Sequence, residues 1–392
     1  MNNRLLILLC CMIIMLSGCW DENDIEERGF VIGAAIDLAE DEQGKDSPTL
    51  TLTNQFVVPA GIGMPGGGGG EQKAFSNISG SGESLFGIIR EMSTTVSRAP
   101  YFEHLKVIII SEEVARQPDL FGSIIDLFIR DQEMRREIKI VISEQNAQKV
   151  MKVEPEAEQL PIMYMNDVMD NTVKAGGLLE PVRMGDMHEY LLEESNYVIP
   201  RVYSLDNRIK FKGAGVFRGK SNRLVGNIND DESVGLNLIT NSTEGGFIKF
   251  EINNKLMIYE LKKTKNTIKI DTKDQDNIKI DITIDTEGNI GEMYGERSLL
   301  EKDFLREIEQ KVNEKIELLA NNVIKKGQEE LQLDFFGFSD ILKQKHYETW
   351  NEVKDNWDQG DNIFAKSTIN VTADSIIRTT GASDRVKDQG SE

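Results

Sequence analysis

The chain has 392 residues, of which 45 are basic and 66 are acidic, so its net charge at pH 7 is −21. This length is sufficient for two or three domains, each with its own hydrophobic core. So acidic a chain is repelled by nucleic-acid phosphates and by anionic lipid headgroups. Nucleic-acid binding is therefore disfavoured, and only an attached lipid or a partner protein can hold the chain at a membrane.

The N-terminus has the pattern of a secretory signal peptide. Arg4 is followed by an uncharged apolar run from residue 5 to residue 16, and the segment ends in Leu16-Ser17-Gly18-Cys19. The apolar run is too short to cross a hydrocarbon core, which needs about 20 residues. We therefore predict that residues 1–18 are a signal peptide that is removed after export.

The last four of these residues fit the bacterial lipobox, in which the cysteine thiol receives a diacylglycerol and becomes the new N-terminus. Cys10 and Cys11 lie in the removed segment, so Cys19 is the only cysteine of the processed chain. Removal of Arg4 leaves 44 basic against 66 acidic residues, a net charge of −22. We predict that Cys19 is the lipidation site, bearing palmitate-type acyl chains, because two chains are sufficient for stable anchoring. The acidic leader at 19–28 then joins the lipid to the folded body.

Residues 29–200 are predicted to form an α/β region. Strands are expected at 29–38, 49–58, 75–79, 105–110 and 138–142, and helices at 83–96, after Pro118, and over most of 155–195. The uninterrupted apolar strands that alternate with helices from residue 75 onward are typical of a parallel sheet that is covered on both faces. The glycine run from Gly66 to Gly70 predicts a loop, because polyglycine loses much backbone entropy on ordering.

Residues 201–380 are predicted to form an α+β region, followed by a loose tail at 381–392. The patterns indicate a hairpin at 211–225, a helix at 230–238, strands at 247–252, 256–261, 267–271 and 277–285, a long helix at 299–326, and closing strands at 363–373 and 376–379. Isoleucines at 278, 280, 282 and 284 alternate with polar residues, so one face of that sheet should be buried.

The long helix carries an apolar stripe with helical spacing, which should pack in the core. Its members are Phe304, Ile308, Val312, Ile316, Leu319 and Val323. The chain is thus expected to have a mixed α/β or α+β fold with several mixed β-sheets and packed helices. It should form two domains, or three if the second region divides near residue 245.

A glycine-rich segment at 213–221 (GAGVFRGKS) invites comparison with phosphate-binding loops. The P-loop requires glycine five residues before its Gly-Lys-Ser, where this chain has Ala214, and the dinucleotide-binding pattern fails at Arg218. Both motifs also need a helix to follow, whereas the sequence after Ser221 predicts a turn and a strand. We therefore expect no nucleotide site here.

Other chemistry-bearing residues favour structural roles. His104, His188 and His346 are far apart in sequence, without the spacing of metal ligands. The acidic pairs Glu26/Glu27 and Asp230/Asp231 are typical of a solvated face. Trp350 and Trp357, two helical turns apart, are expected in a core, with a protein-facing anchor as the alternative. The sequence therefore indicates no active site, metal site or cofactor.

Several strings resemble a known family, the Ger(x)C lipoproteins, which are the C subunits of spore germinant receptors. These strings are LSGCWD at 16–21, IEERGFVIG at 25–33, AID at 35–37, GAGVF at 213–217 with LVG at 224–226, DFFGF at 334–338, and the tryptophans Trp350 and Trp357. The resemblance covers nearly the whole processed chain, and its N-terminal part is the most specific. The glycine run at 66–70 is not associated with the family and marks a variable loop.

The resemblance implies a mixed α/β protein of about three lobes that is lipidated at Cys19, the one functional residue of the family that maps clearly onto this chain. It implies display on the outer face of the spore inner membrane, in a complex with two integral membrane subunits, A and B, that responds to nutrient germinants. The chain is thus expected to be a non-catalytic receptor subunit. One alternative is a lipid-anchored solute-binding protein of a transporter. Another is an envelope hydrolase, which would need a catalytic pair.

Overall fold

The computed structural model describes residues 28–39, 48–63, 73–156, 158–175, 179–240, 245–274, 277–294 and 297–379. The predicted signal peptide, Cys19, most of the acidic leader, the glycine run at 66–70 and the tail at 381–392 lie outside these residues. No helix within the described ranges is long and apolar enough to span a membrane.

The described chain folds into two mixed sheets with helices packed against them. The strands are β1 (Arg28–Leu38), β2 (Leu50–Val57), β3 (Phe75–Gly82), β4 (Ala99–Tyr101), β5 (Val107–Ser111), β6 (Lys139–Ser143), β7 (Val182–Arg183), β8 (Tyr197–Leu205), β9 (Arg208–Arg218), β10 (Arg223–Ile228), β11 (Phe247–Ile252), β12 (Lys255–Asp271), β13 (Lys279–Met293) and β14 (Thr368–Thr379). The helices are α1 (Leu85–Thr95), α2 (Glu112–Ala115), α3 (Leu120–Arg130), α4 (Ala147–Met151), α5 (Pro161–Ala175), α6 (Met184–Glu193), α7 (Asp230–Thr240), α8 (Lys302–Lys325), α9 (Phe338–Lys345), α10 (Tyr347–Val353) and α11 (Ile363–Lys366). This architecture confirms the predicted mixed α/β, α+β fold.

The first sheet has the strand order β10-β9-β8-β6-β5-β1-β2-β3, with β4 beside β1 and β7 beside β6. Its centre is parallel, because β1, β5, β6 and β8 pair in that sense. The parallel prediction is therefore confirmed for the strands near residues 105 and 138. It is wrong for β3, which pairs antiparallel with β2 at the edge of the sheet. The serines and glycines of β3 alternate between exposed and half-buried positions, as expected of an edge strand rather than a central one.

Every residue of β5 and β6 is buried, because helices cover both faces of the sheet centre. Ile108 and Ile110 face a core that includes residues of α1, α3 and α6. Val107 and Ile109 face the opposite core, which includes residues of α4 and α5. The period-two alternation of strand side chains thus divides one apolar run between two cores.

The second sheet has the order β11-β12-β13-β14, and α8 packs across one of its faces. The alternating isoleucines of β13 and the apolar stripe of α8 are buried in the same core, which confirms both predictions. The strands predicted at 256–261 and 267–271 are one 17-residue strand, β12, because pairing with β13 continues through two register shifts. The closing segment differs as well, since Ile363–Lys366 is a helix and Thr368–Thr379 is a single strand.

β9 and β10 lie between two of these cores, the one that contains α1, α3 and α6 and the one beneath the second sheet. Phe217 and Leu224 face the core of the first sheet, whereas Ala214, Val216 and Ile228 face the core of the second. The boundary expected at residue 200 falls within β8, and the first sheet continues to Ile228. The subdivision expected near residue 245 falls immediately before β11.

Candidate functional site: the polar junction between the two sheets

Cys19, the predicted lipidation site, lies outside the described residues, but the start of the folded body is described. β1 begins at Arg28, nine residues after Cys19. The Arg28 guanidinium carbon lies 4.1 Å from the centre of the Tyr101 ring, a cation–π contact that fixes this end of the first sheet. Nine extended residues span at most about 30 Å, so the predicted anchor would lie within that distance of Arg28.

The three histidines lie in separate places. His104 packs edge-on against the ring of Phe30, with ring centres 5.3 Å apart. The Nδ1 atom of His188 lies 3.3 Å from a guanidinium nitrogen of Arg136. His346 precedes α10. Among the described residues, no three His, Cys, Asp or Glu side chains are arranged to hold a metal ion.

The glycine-rich segment at 213–221 spans the end of β9 and the following 3₁₀ turn, Gly219–Ser221. The antiparallel strand β10 comes next, rather than a helix. The amide of Gly219 donates a hydrogen bond to the side-chain oxygen of Asn196 at 3.0 Å. These residues therefore hold a hairpin against the loop before β8, and the segment lacks the helix N-terminus that a phosphate site uses.

Asp334, in the loop before α9, is a buried acidic residue with several hydrogen-bond donors around it. Its side chain is 2% exposed, and its carboxylate accepts four hydrogen bonds. The donors are the indole Nε1 of Trp357 at 2.8 Å and the backbone amides of Ser339 at 2.7 Å, Phe336 at 3.1 Å and Phe338 at 3.4 Å. Asp334 thus ties α9 to the segment after α10.

Burial raises the pKa of Asp334 from 3.8 to about 6, although the hydrogen bonds from Trp357, Ser339 and Phe336 act in the opposite direction. The negative charge of Asp358 raises the pKa further. A buried carboxylate loses its hydration, which disfavours the charged form. Asp334 is therefore a titratable group in a structural position.

Asn196 connects this loop to the first sheet. Its side-chain NH₂ donates to the backbone carbonyl of Asp334 at 2.8 Å and to the Asp358 carboxylate. Its side-chain oxygen accepts from Gly219, as described above. Arg218 also donates to the carbonyl of Asp358 at 3.3 Å. The side-chain amide of Asn196 therefore joins three segments that are far apart in sequence. We call the set formed by Asn196, Gly219, Asp334, Trp357 and Asp358 the polar junction.

A small polar cavity of about 170 Å³ opens beside the polar junction. Its walls include Trp350 and Trp357 together with side chains of both charges, and Lys343 forms an ion pair with Glu193 at 3.5 Å. The pKa of Asp340 is raised by burial and by the neighbouring Glu193. This cavity is smaller than the roughly 300–1,000 Å³ of typical ligand sites.

The other residues of the quoted strings have structural contacts. Asp37 is buried, and its carboxylate accepts hydrogen bonds from the amides of Ala147 at 2.6 Å and Gln148 at 3.0 Å. It therefore holds the first turn of α4. Trp357 is fully buried in the second core, which confirms the core prediction, whereas Trp350 is half-buried and lines the cavity.

The contacts of Asp334, Asn196 and Asp37 were not predicted from the sequence. One signal was present, because Asp334 is a single charge within a run of aromatic residues, and a buried charge needs nearby donors. The partners themselves, 23 and 138 residues away, have no local signature.

Two models of one protein family match the chain. The model described as "Spore germination protein N-terminal domain" matches residues 21–203, and the model described as "Spore germination B3/ GerAC like, C-terminal" matches residues 212–381. Together they cover almost everything after Cys19.

Curated relatives come from Bacillus subtilis (strain 168). The chain is 28% identical to spore germination protein YndF over 96% of both chains. It is 29% identical to spore germination protein B3 over 91% of this chain and 92% of the relative, and 26% identical to spore germination protein A3 over 97% and 98%. The crystal structure of the GerBC protein is similar to this fold, with a TM-score of 0.60 and 24% identity, over 90% of this chain and all of that one.

Proposed function

The chain belongs to the GerAC-like family of spore germination proteins, and on that premise we propose that it is a non-catalytic, lipid-anchored subunit of a germinant receptor complex in a membrane. The main support for the proposal is that the region matched by the family models begins almost directly after the lipobox. The first family model begins at residue 21, two residues after Cys19, and the second ends at residue 381.

The lipid anchor is proposed from the Leu16–Cys19 string and from the charge of the body. A chain with a net charge of −21 is not attracted to anionic lipid by its own surface. Acyl chains on Cys19 would supply roughly 0.8 kcal/mol for each buried CH₂, and they would hold the acidic body at the bilayer. The proposed location is the outer face of the spore inner membrane.

The non-catalytic role is supported by what the family-like residues contact. Asp37 caps a helix, Asp334 and Trp357 hold the polar junction, and Gly213 forms part of a hairpin. Each contact orders the fold rather than pairing a nucleophile with a base. The partners proposed are the integral membrane A and B subunits, as the family resemblance implies.

Deletion of the gene tests the receptor role. We expect spores that form normally but no longer germinate in response to one class of nutrient germinant. Spores that germinate normally with every nutrient tested would contradict this role.

The lipid anchor has its own test, with a matched control inside the chain. The Cys19→Ala variant should leave the membrane fraction, and the Cys11→Ala variant should remain there, because residue 11 is removed with the signal peptide. Mass spectrometry of the processed N-terminus should find acyl chains on Cys19. An unmodified cysteine at that N-terminus would disprove the anchor and leave the receptor role to the deletion experiment.

The alternative, a solute-binding protein, predicts tight binding of an amino acid or a sugar. Titration calorimetry of the processed chain with both classes of solute distinguishes the two proposals. We expect no saturable heat, since the cavity at the polar junction is small and crossed by an ion pair, and the larger groove between β11 and α8 is open to solvent rather than closed around a small solute.

A further inference from the structure

The second sheet has an edge that is unpaired within the described ranges. β11 pairs with β12 on one side, and no described strand pairs with its other side. Natural proteins usually protect such an edge, because its free amides and carbonyls can bind another extended chain. β11 is a regular strand of six residues in which exposed and buried side chains alternate.

The hairpin turn fixes which backbone groups of β11 point outward. Asn253 and Asn254 both have positive φ angles, 52° and 60°, in a two-residue turn that pairs Ile252 with Lys255. The residues next to such a turn exchange hydrogen bonds, and bonding then alternates along the strand. Ile252, Phe250 and Ile248 are therefore bonded to β12. The amides and carbonyls at 247, 249 and 251 point away from the sheet.

A groove of about 550 Å³ runs between this edge and α8. Its apolar lining is formed by Phe250 and by two exposed leucines, Leu256 at 37% and Leu318 at 51%. One face of α8 forms the opposite wall, at positions 311, 314, 315 and 318. A free strand edge beside an apolar channel and a helix is the geometry in which an extended peptide can add to a sheet.

The charges of the groove differ from those of the whole chain. Its lining contains three lysines and two glutamates, whereas the chain as a whole has a net charge of −21. Lys311 is paired with Glu314 at 2.6 Å. The ammonium of Lys249 lies 5.3 Å from the centre of the Phe247 ring, so it packs along the strand. Lysine on an edge strand often protects it, but this protection does not account for the two exposed leucines.

We propose that this groove binds an extended segment of a partner protein in which apolar residues alternate with acidic ones. The segment adds to β11 as a fifth strand and bonds to the backbone at 247, 249 and 251. Its apolar side chains face α8 and pack against Phe250 and Leu318, and its carboxylates lie on the opposite face of the sheet, near Lys249.

The inference is independent of the lipid anchor and of the receptor role, because it can be tested by binding alone. The probe is a fluorescein-labelled octapeptide, blocked at both ends, in which valine alternates with glutamate. A second peptide has lysine in place of glutamate. Fluorescence anisotropy is measured with the purified processed chain. We expect saturable binding of the glutamate peptide and binding at least tenfold weaker for the lysine peptide.

The decisive variant is Lys249→Pro, with Lys249→Thr as its matched control. Proline removes an outward amide and leaves the bonds between β11 and β12 intact, as is tolerated on edge strands. Both variants lose the lysine charge, but only proline loses the backbone donor. We expect Lys249→Pro to bind about tenfold more weakly than Lys249→Thr, since a hydrogen bond is lost and a peptide carbonyl is left without its donor.

A second pair of variants tests the opposite wall of the groove. Leu318→Asp should weaken binding about tenfold or more, because it places a carboxylate in the apolar channel. Leu300→Asp, at another exposed leucine outside the groove lining, should bind like the unmodified chain.

Three results would overturn the proposal. The first is the absence of saturable binding by the glutamate peptide, and the second is equal binding by Lys249→Pro and Lys249→Thr. The third is a concentration-dependent dimer in sedimentation equilibrium that Lys249→Pro abolishes, because the edge would then be occupied by a second copy.

Discussion

Replacement of Trp357 by phenylalanine should destabilise the chain by an amount that depends on pH. The substitution keeps an aromatic ring in the second core but removes the indole N–H that donates to Asp334 at 2.8 Å. A hydrogen bond to a charged group contributes about 1.5–3 kcal/mol to the free energy of unfolding, and one to a neutral group about 1 kcal/mol. The protonation state of Asp334 therefore sets the size of the loss.

The direction of the pH effect follows from the raised pKa of Asp334. Its value is 3.8 in the unfolded chain and about 6 in the folded one, so the folded state binds the proton more tightly. Stability contributed by this group is present below pH 4 and is lost as pH rises to about 6, by about 3 kcal/mol for a shift of roughly two units. Above that range Asp334 is ionised in both states and depends fully on its donors.

The loss caused by Trp357→Phe should thus be about 1 kcal/mol at pH 4.5 and about 2–3 kcal/mol at pH 8, in addition to a constant packing loss. Urea unfolding of the processed chain, followed by tryptophan fluorescence and circular dichroism at both pH values, measures the difference. Trp350→Phe is the matched control, because Trp350 is half-buried and its loss should be the same at both pH values. A loss for Trp357→Phe that is equal at both pH values, or smaller at pH 8, would refute this account of Asp334.

Three further predictions follow from other buried contacts. Asp37→Ala should lower the free energy of unfolding by roughly 1–3 kcal/mol, because two amides lose their acceptor. Asp126→Ala should change it little, since the exposed ion pair of Asp126 with Arg130 on α3 contributes only a few tenths of a kcal/mol. Gly213→Ala should destabilise the chain more than Gly337→Ala: both glycines have positive φ, but only at Gly213 would a Cβ lie 1.9 Å from a backbone carbonyl oxygen. Thermal unfolding measures the decrease in Tm for both variants. Equal decreases would contradict the steric argument. Burial raises the pKa of Tyr259 to about 12, so Tyr259→Phe should remove a late step from the phenolate absorbance titration and leave the steps near pH 10 unchanged.

Local patterns predicted those elements in which a single period explains the burial. The stripe of α8 and the alternating isoleucines of β13 each face one core, so hydrophobic spacing alone identifies them. Hydrophobic spacing did not predict the structure where one segment packs against two cores, or where the pairing of a strand shifts in register. β12 continues through two register shifts because β13 pairs along its whole length, and no local signal marks that continuity.

The candidate site shows the same division. The core position of Trp357 was predicted from its helical spacing, whereas the DFFGF string at 334–338 was identified only through the family resemblance. The role of Asp334 could not be derived, because its donors come from α9 and from Trp357, and its backbone is bonded to Asn196 of the other half of the chain. Hydrogen bonds between residues more than a hundred positions apart depend on how the sheets pack.

By itself, the sequence determined the family resemblance and the α8 and β13 core, and it is the source of the predicted export signal and lipidation at Cys19, because each depends on residues that are adjacent or regularly spaced. Only the tertiary structure decided that β9 and β10 serve two cores, that Asp334 is buried among four donors, and that β11 presents a free edge beside α8. Burial and pairing between distant segments are set by the free energy of the whole packed chain, and no local stretch of sequence contains that information.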